Sequence, residues 1–172
     1  MNATELLNTG KKNLLEDDYI AAKKYFQSAI KLDPNNGEAH AFLAASYGKL
    51  MENGGFMDRI KYFPQLEKEI AIALKLSPDS TVARRVNGLR LIKTPKEFGG
   101  NPSKAIGEFL YCIERGVQDA DLYYGLGLAY IQTKEFTKAK DALDHGQTLS
   151  PNHLLIQQQL GLVNRSVSNG NS

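Results

Sequence analysis

A spaced pattern of small and large residues recurs along the chain and limits what it can fold into. Each copy has a small residue, a large apolar residue four positions later, a small residue three further on, and a proline after five more. The clearest copies are Ala22, Phe26, Ala29, Pro34 and Ala139, Leu143, Gly146, Pro151. Such copies bury their apolar residues by stacking on their neighbours, so we expect a helical repeat protein.

The copies also have the periodicity and the end signals of helices. Apolar residues between Ile20 and Ile30 fall at spacings that share one face of a helix. The first and last copies end at a proline, which removes a backbone donor and disfavours helical geometry at the preceding residue. Asn2 precedes Glu5 by three residues, as in a capping box. The sequence predicts helices and no strand, with the helices at residues 3–15, 18–32, 37–51, 58–76, 80–93, 102–115, 119–133, 135–148 and 152–166.

Further residues extend the pattern over both helices of a repeat. In the last copy they are Tyr123, Leu126, Gly127, Tyr130 and Phe136. These positions resemble the tetratricopeptide repeat, a helix-turn-helix unit of about 34 residues. The chain is similar to a divergent, bacterial-type member of that family whose central repeats carry insertions, about ten residues around 52–63 and about five around 94–100.

The resemblance implies an all-α fold, a right-handed α-solenoid in which each repeat contributes two helices, here called its A and B helices. The repeats would span residues 3–36, 37–80, 81–118 and 119–152. Residues 152–166 are predicted to form a C-terminal capping helix, because a helix with one apolar and one polar side can cover the end of a solenoid. We expect one domain at residues 1–166 and a disordered tail at 167–172, which is rich in Ser, Asn and Gly.

Composition narrows the possible functions. The 172 residues carry 21 Lys and Arg against 19 Asp and Glu, and a net charge of +2 is too small for a dedicated nucleic-acid binder. No apolar stretch reaches the length of a membrane span, and residues 1–18 lack the apolar core of a signal peptide. We therefore expect no membrane insertion and a cytoplasmic location, although a removed leader would leave a periplasmic or lipoprotein origin open.

Residues able to perform catalysis are scarce. Cys112 falls where the repeat requires a small buried residue, and His40 occupies a position that favours a large structural residue. His145 and His153 lie near a helix end and the start of the cap, and no two histidines have the i, i+4 spacing of a zinc site. Two Gly-Gly pairs lack the flanking residues of a phosphate-binding loop. We expect no enzymatic activity, no metal site and no cofactor.

In tetratricopeptide proteins the A helices line a concave surface that holds a peptide or a helix. The resemblance therefore implies a groove lined, position by position, by Leu7, Lys11, Leu14, Ala41, Ala45, Lys49, Arg85, Leu89, Lys93, Tyr124, Leu128 and Gln132. This lining is apolar with a basic fringe. An apolar segment with some acidic residues would complement it, since apolar contacts supply affinity and charges fix orientation.

The sequence thus favours a non-catalytic protein-interaction module, an adaptor or assembly factor that binds a peptide or helix in its groove. The alternative is a self-associating scaffold that uses the capping helix or the insertion at 52–63 to contact another copy of the chain. Nucleic acid is a lesser candidate partner, because the basic residues between Arg84 and Lys96 are not interleaved with aromatic residues.

Overall fold

The computed structural model describes residues 1–169, and these residues form α-helices, one short 3-10 turn at Lys96–Phe98 and no strand. The all-α prediction is confirmed over this part of the chain. In order, the helices are α1 (Ala3–Leu15), α2 (Tyr19–Leu32), α3 (Gly37–Asn53), α4 (Phe56–Leu76), α5 (Thr81–Lys93), α6 (Pro102–Glu114), α7 (Ala120–Gln132), α8 (Phe136–Leu149) and α9 (Leu154–Asn169).

Local side-chain caps begin several of these helices where the sequence predicted them. At α1, Asn2 Oδ1 accepts from Glu5 N at 2.9 Å, and Glu5 Oε2 accepts from Asn2 N at 3.0 Å, which completes a capping box. Asn101 Oδ1 accepts from the backbone of Lys104 at the start of α6, and Pro102 occupies the first turn. These caps satisfy backbone donors that have no partner inside the helix.

The insertion at 52–63 is helical except at Gly54 and Gly55, and so is more helical than the sequence predicted. It lengthens α3 to Asn53 and starts α4 at Phe56, two residues before the predicted start, so that only Gly54 and Gly55 separate the two helices. The Gly54 N–H donates to Leu50 O at 2.9 Å and closes the last turn of α3. Pro64 lies inside α4, where its ring removes one backbone donor from the helix.

Contacts divide the chain into two compact units, where the sequence led us to expect a single domain. Unit 1 comprises residues Met1–Val86, and unit 2 begins at Asn87, so the boundary lies within α5. In unit 1, α1 packs against α2 and α3, and α3 packs against α4. In unit 2, α7 packs against α6, α8 and α9. Each unit therefore contains antiparallel helix pairs with A helices in contact with one another.

The core of unit 1 is built on the repeated small and large residues. Phe26 is fully buried in α2, and a Cβ added to Gly10 of α1 would lie 2.5 Å from its ring. Phe26 stacks on Phe42 of α3 with ring centroids 5.6 Å apart. The helices approach this closely only because position 10 has no side chain, which compensates for the unfavourable helix propensity of glycine.

One polar pair is buried in unit 1. His40 Nδ1 lies 2.5 Å from Glu69 Oε2, and His40 Nε2 lies 3.0 Å from Pro34 O. The side chains of His40 and Glu69 are each more than nine-tenths buried. The pair joins α3 to α4 and to the turn before α3, so His40 is structural, as its position in the repeat predicted.

Unit 2 repeats the same packing rule. Phe109 and Leu143 are fully buried, and they occupy the space beside Gly88 and Gly127, where an added Cβ would lie 2.7 Å from each side chain. Cys112 is buried in the same core. Because the second-helix residue fills the gap left by the first-helix glycine, each A helix is held against its own B helix.

The capping helix α9 keeps the register of an A helix. Gly161 stands where Gly127 stands in α7, but an added Cβ at Gly161 would meet nothing within 4 Å. Gln157 and Asn164, on the same side, are exposed, whereas the opposite side buries Ile156, Leu160 and Val163 against α7 and α8. α9 runs to Asn169, so residues 167–169 are helical where the sequence predicted a disordered tail, and residues 170–172 of that tail lie outside the described part of the chain.

Overpacking the repeated small positions should destabilise each unit. Ala22→Phe in unit 1 and Ala139→Phe in unit 2 place a large ring at fully buried alanines, and each should lower the free energy of unfolding by about 1–3 kcal/mol. Ala71→Phe, at an exposed position of α4, is the matched control and should change it by less than about 0.5 kcal/mol. Urea unfolding followed by circular dichroism measures all three variants. If either core variant shifts one common unfolding transition, the two units unfold together as one cooperative domain. If each variant shifts a separate transition, the expectation of a single domain is contradicted.

Alanine substitutions at two glycines that occupy the same position of the repeat should change the stability of the protein in opposite directions. Gly127→Ala brings a methyl group to within 3 Å of Leu143 and should destabilise the protein by about 1 kcal/mol, since overpacking outweighs the better helix propensity. Gly161→Ala meets open space and should stabilise it by about 0.5–1 kcal/mol. Thermal melts of both variants test the register, and equal effects would contradict it.

Candidate functional site

The predicted groove residues lie on the A helices of the two units. Residues from the first two repeats fall on α1 and α3 of unit 1, and the others fall on α5 and α7. Within unit 1, α1 contacts α3 directly, and within unit 2, α7 contacts α9. Each unit therefore presents a face formed by neighbouring A helices, and the side chains on that face decide what it can bind.

Two of the predicted lining residues belong to the core instead. Leu7 is 5% exposed and packs in the cluster around Phe26, and Ala41 is 0% exposed and packs with Ala73 and Ala83. Their positions turn toward the neighbouring helices rather than toward solvent. Neither side chain can contact a ligand without unfolding its surroundings, so both are removed from the candidate lining.

The face of unit 1 is less basic than its sequence suggests. Lys11 Nζ lies 2.5 Å from Glu38 Oε1 of α3 and 5.0 Å from the centre of the Phe42 ring. Lys49 Nζ lies 3.1 Å from Glu52 Oε2. Both ammonium groups are thus neutralised by carboxylates on α3, and the first of these pairs links α1 to α3. The apolar members of this face, Leu14 and Ala45, are half-buried against the core of unit 1.

The face of unit 2 combines half-buried apolar side chains with polar ones. Leu89 and Leu128 pack at the edge of the core around Phe109. The Tyr124 ring is half-buried, with its centroid 5.8 Å from that of His153.

Polar residues complete the predicted lining. Gln132 Nε2 donates to Ile92 O at 3.0 Å, which joins the end of α7 to α5 within unit 2. Lys93 of α5 is exposed, and Arg85, on the part of α5 that belongs to unit 1, is half-buried. The side chains of Gln132 and Lys93 therefore lie at the C-terminal ends of their helices.

Sequence reasoning missed two leucines that belong to the same face of unit 2. Leu162 follows Gly161 directly, as Leu128 follows Gly127 in α7, and it is 52% exposed. Leu155, seven residues earlier on α9, is 48% exposed. The signal that identifies them is the register of the small residue, which continues from α7 into α9. Treating α9 as a cap alone hid that continuation.

Two of the histidines lie in unit 2 and make hydrogen bonds to polar side chains. His153 caps α9, because its Nδ1 accepts from Ile156 N at 3.3 Å while its Nε2 lies 2.8 Å from Asp121 Oδ1. His145 Nε2 lies 3.2 Å from Gln118 Oε1. Across residues 1–169 no group of three or more His, Cys, Asp or Glu side chains is arranged to hold a metal ion.

Two tyrosines have a raised pKa, one because of burial and the other because of a hydrogen bond at the surface. Burial, followed by the charge of Glu69, raises the pKa of Tyr47, and the Tyr47 hydroxyl accepts from Gln27 Nε2 at 3.2 Å. A hydrogen bond from the Tyr19 hydroxyl to the Asp17 carboxylate at 2.6 Å raises the pKa of Tyr19. Neither shift marks a group activated for catalysis.

Among the described helices, none combines the length and the apolar character that a membrane span requires. Exposed large apolar residues also lie at the start of α4, at Phe56, Met57 and Ile60.

Three solved structures share this fold. PilW, described as a widely conserved type IV pilus biogenesis factor, matches with a TM-score of 0.73 and 16% identity over 96% of this chain and 70% of its own. Pseudomonas aeruginosa PilF matches with a TM-score of 0.71 and 18% identity over 97% and 69%. MamA from Desulfovibrio magneticus RS-1 matches with a TM-score of 0.69 and 20% identity over 96% and 85%. At these identities the likeness shows the fold alone.

Two family models match the sequence. The tetratricopeptide repeat model covers residues 120–153, which confirms the predicted repeat fold. No curated protein matches the chain. A second family model, described as regulator of microtubule dynamics protein 1-3, covers residues 3–89. Because that match spans just over half of the sequence, this tetratricopeptide-repeat protein belongs to the family described as regulator of microtubule dynamics protein 1-3.

Proposed function

We propose that the chain is a non-catalytic protein-interaction module, an adaptor or assembly factor whose A-helix faces bind a peptide or a helix of a partner protein. The observation that carries the proposal is the face of unit 2. There Leu128 and Tyr124 of α7 are half-buried, Leu128 at the edge of the core around Phe109 and Tyr124 at the edge of the core around Leu143, and Gln132 lies one turn beyond Leu128. Rigid, half-buried apolar side chains of this kind provide affinity at low entropic cost.

The predicted chemistry of the partner follows from the charges on these faces. Lys11 and Lys49 pair with carboxylates of α3 within unit 1, and α5 contributes three further basic residues, Arg85, Arg90 and Lys93, within three turns. We propose a mainly apolar partner segment with a few acidic residues. The proposed cytoplasmic location stays a prediction.

The family description suggests a specific class of partner. It refers to the regulation of microtubule dynamics, and we propose a microtubule-associated protein segment, or tubulin itself, as the first ligand to examine. Support for this partner comes from the match over residues 3–89, which contains most of unit 1.

Charge reversal on α5 should weaken binding. We expect Arg85→Glu with Lys93→Glu to lower affinity for polymerised tubulin, and for acidic peptides selected from a random library, by about tenfold, since each reversal costs up to about 1 kcal/mol. Co-sedimentation and fluorescence anisotropy measure the two affinities. Lys24→Glu with Lys31→Glu, at exposed positions of α2, makes the same charge change on a B helix and should leave both affinities unchanged.

The two readouts separate the parts of the proposal. Peptide binding without co-sedimentation would reject tubulin as the partner and keep the interaction module. Equal losses in the α5 variant and the α2 control would reject the assignment of binding to the A-helix faces.

A second candidate function is self-association, which the start of α4 favours. Phe56, Met57 and Ile60 are 74%, 73% and 55% exposed and share one side of the helix. Exposed apolar groups of this size commonly mark interaction sites. They lie in the insertion at 52–63, the segment that the alternative interpretation of the sequence singled out.

If α4 mediates self-association, the protein should form dimers or larger species that Phe56→Ser with Ile60→Ser converts to monomers. Size-exclusion chromatography with light scattering over a wide range of concentrations measures this. Lys68→Ser with Lys75→Ser, at exposed positions further along α4, is the control and should retain the assembly. A wild-type protein that is monomeric throughout rejects the scaffold.

A further inference from the structure

The hydrogen bonds of the buried pair His40 and Glu69 require a proton that neither side chain needs alone. Pro34 O is a backbone carbonyl and can only accept, so His40 Nε2, 3.0 Å away, must carry a hydrogen and donate it. His40 Nδ1 lies 2.5 Å from Glu69 Oε2. A second hydrogen must lie between these two atoms, because an ionised carboxylate and an unprotonated ring nitrogen are both acceptors.

Two placements of the second hydrogen satisfy these contacts. In one, His40 is an imidazolium that donates to the Glu69 carboxylate, and in the other a neutral His40 accepts from the protonated Glu69 carboxyl. In both, the pair has no net charge and holds one proton more than a neutral imidazole and an ionised carboxylate hold together. The number of protons is therefore the same whichever atom carries the second hydrogen.

Burial opposes the loss of this proton. The side chains of His40 and Glu69 are 7% and 9% exposed, and they join α3 to α4 and to the turn before α3. Without the proton, the carboxylate would face the lone pair of Nδ1, and a net negative charge would remain out of water. One side chain would then have to leave its partner, which would loosen the contact between α3 and α4.

The helices packed around the pair carry charged side chains that have contacts of their own. Lys11 of α1 pairs with Glu38 of α3, and Lys23 of α2 lies over a tyrosine ring of α4. Arg84 of α5 donates to a backbone carbonyl of the turn before that helix. The Asp33 carboxylate accepts a backbone N–H in the turn before α3. None of these four contacts places a hydrogen between the ring nitrogen and the carboxylate of the pair.

Tyr47 of α3 is the titratable neighbour that the charge of Glu69 affects. Burial, followed by that charge, raises the pKa of Tyr47. The Tyr47 hydroxyl accepts from Gln27 Nε2 at 3.2 Å. Tyr47 therefore keeps its own proton at neutral and mildly alkaline pH, and it cannot take up the proton of the pair.

We infer that His40, Glu69 and Pro34 O form a proton-dependent lock that holds α3 against α4 and against the turn before α3. The lock is closed while the pair holds its extra proton and opens when that proton is lost at alkaline pH. All of its atoms lie in unit 1, and it does not depend on the proposed interaction function. His40 thus couples the packing of unit 1 to pH.

The direction of the pH effect follows from the protons bound in the folded and unfolded states. In the unfolded chain a glutamate carboxyl loses its proton near about pH 4.3 and an imidazole near about pH 6.5. Between these values both states hold one proton on the two residues. Above about pH 6.5 the folded pair keeps a proton that the unfolded chain has released, so the stability that the pair contributes falls as the pH rises.

Comparison of the wild type with Glu69→Gln tests the lock. The introduced carboxamide can donate to Nδ1 of a neutral His40 while Nε2 still donates to Pro34 O, so both hydrogen bonds persist without the extra proton. Urea unfolding of the full chain is measured from about pH 6 to about pH 8.5. Over this range the unfolding equilibrium constant of the wild type should rise by about tenfold relative to that of Glu69→Gln. All other titratable groups are common to the two proteins.

The control is Glu67→Gln, which makes the same substitution at an exposed position of α4. It should keep the pH dependence of the wild type. If Glu67→Gln and Glu69→Gln change the pH dependence equally, the effect comes from the charge of α4 as a whole, and the lock is overturned. A wild type whose stability parallels that of Glu69→Gln at every pH overturns it as well.

Nuclear magnetic resonance of the wild type gives a second readout. At about pH 7, nitrogen-15 and carbon-13 spectra should show an imidazolium beside an ionised Glu69, or a ring protonated only at Nε2 beside a protonated Glu69. A neutral His40 ring beside an ionised carboxylate overturns the proton count.

The wild type also decides the question if Glu69→Gln does not fold. As the pH is raised, loss of the proton should coincide with loss of backbone amide protection in α3 and α4. Loss of the proton with unchanged protection overturns the lock. Because no ligand takes part in these measurements, failure of the lock and failure of the proposed interaction function are distinguishable.

Discussion

The structure depends on the close approach of two helices at a position that has no side chain. Phe26 and Leu143 occupy the gaps beside Gly10 and Gly127, so closely that even one methyl group on either glycine would clash with them. This contact fixes both the distance and the rotation of an A helix against its B helix. Once the rotation is fixed, the side chain of each remaining residue of the A helix faces the core, the next repeat or solvent.

The proposed binding face follows from that assignment. The residue after each small position lies toward the edge of the A helix, as Lys11, Leu89 and Leu128 do, and none of these is fully buried. The burial of the residues three positions before the small residue is more variable, since Leu7 and Ala41 are buried and Tyr124 is half-buried. The packing that stabilises the repeats thus also selects which side chains a partner can reach, and fold and function share one geometric rule.

What the sequence could predict was local or periodic. Capping at Asn2 and Asn101 depends on residues within one turn, and the repeat depends on spacings that are visible in one dimension. Contacts between residues far apart in the sequence could not be predicted in this way. The Lys11 to Glu38 pair joins residues 27 positions apart, and Glu69 finds its partner 29 positions away. The helical residues 52–53 and 56–57 were missed because the insertion matches no part of the repeat.

A terminal helix shows what an A helix exposes when no B helix follows it. Inside a solenoid, an apolar residue on an A helix can always be explained by packing against a neighbour. One side of α9 packs on α7 and α8, but Leu154, Leu155 and Leu162 are 63%, 48% and 52% exposed. Leu154 lies seven residues before Gly161, so the side that a B helix would cover keeps apolar surface in contact with water as well. The exposure of these leucines is therefore not confined to one stripe of the helix, and it is a cost that the packing of the repeats alone does not remove.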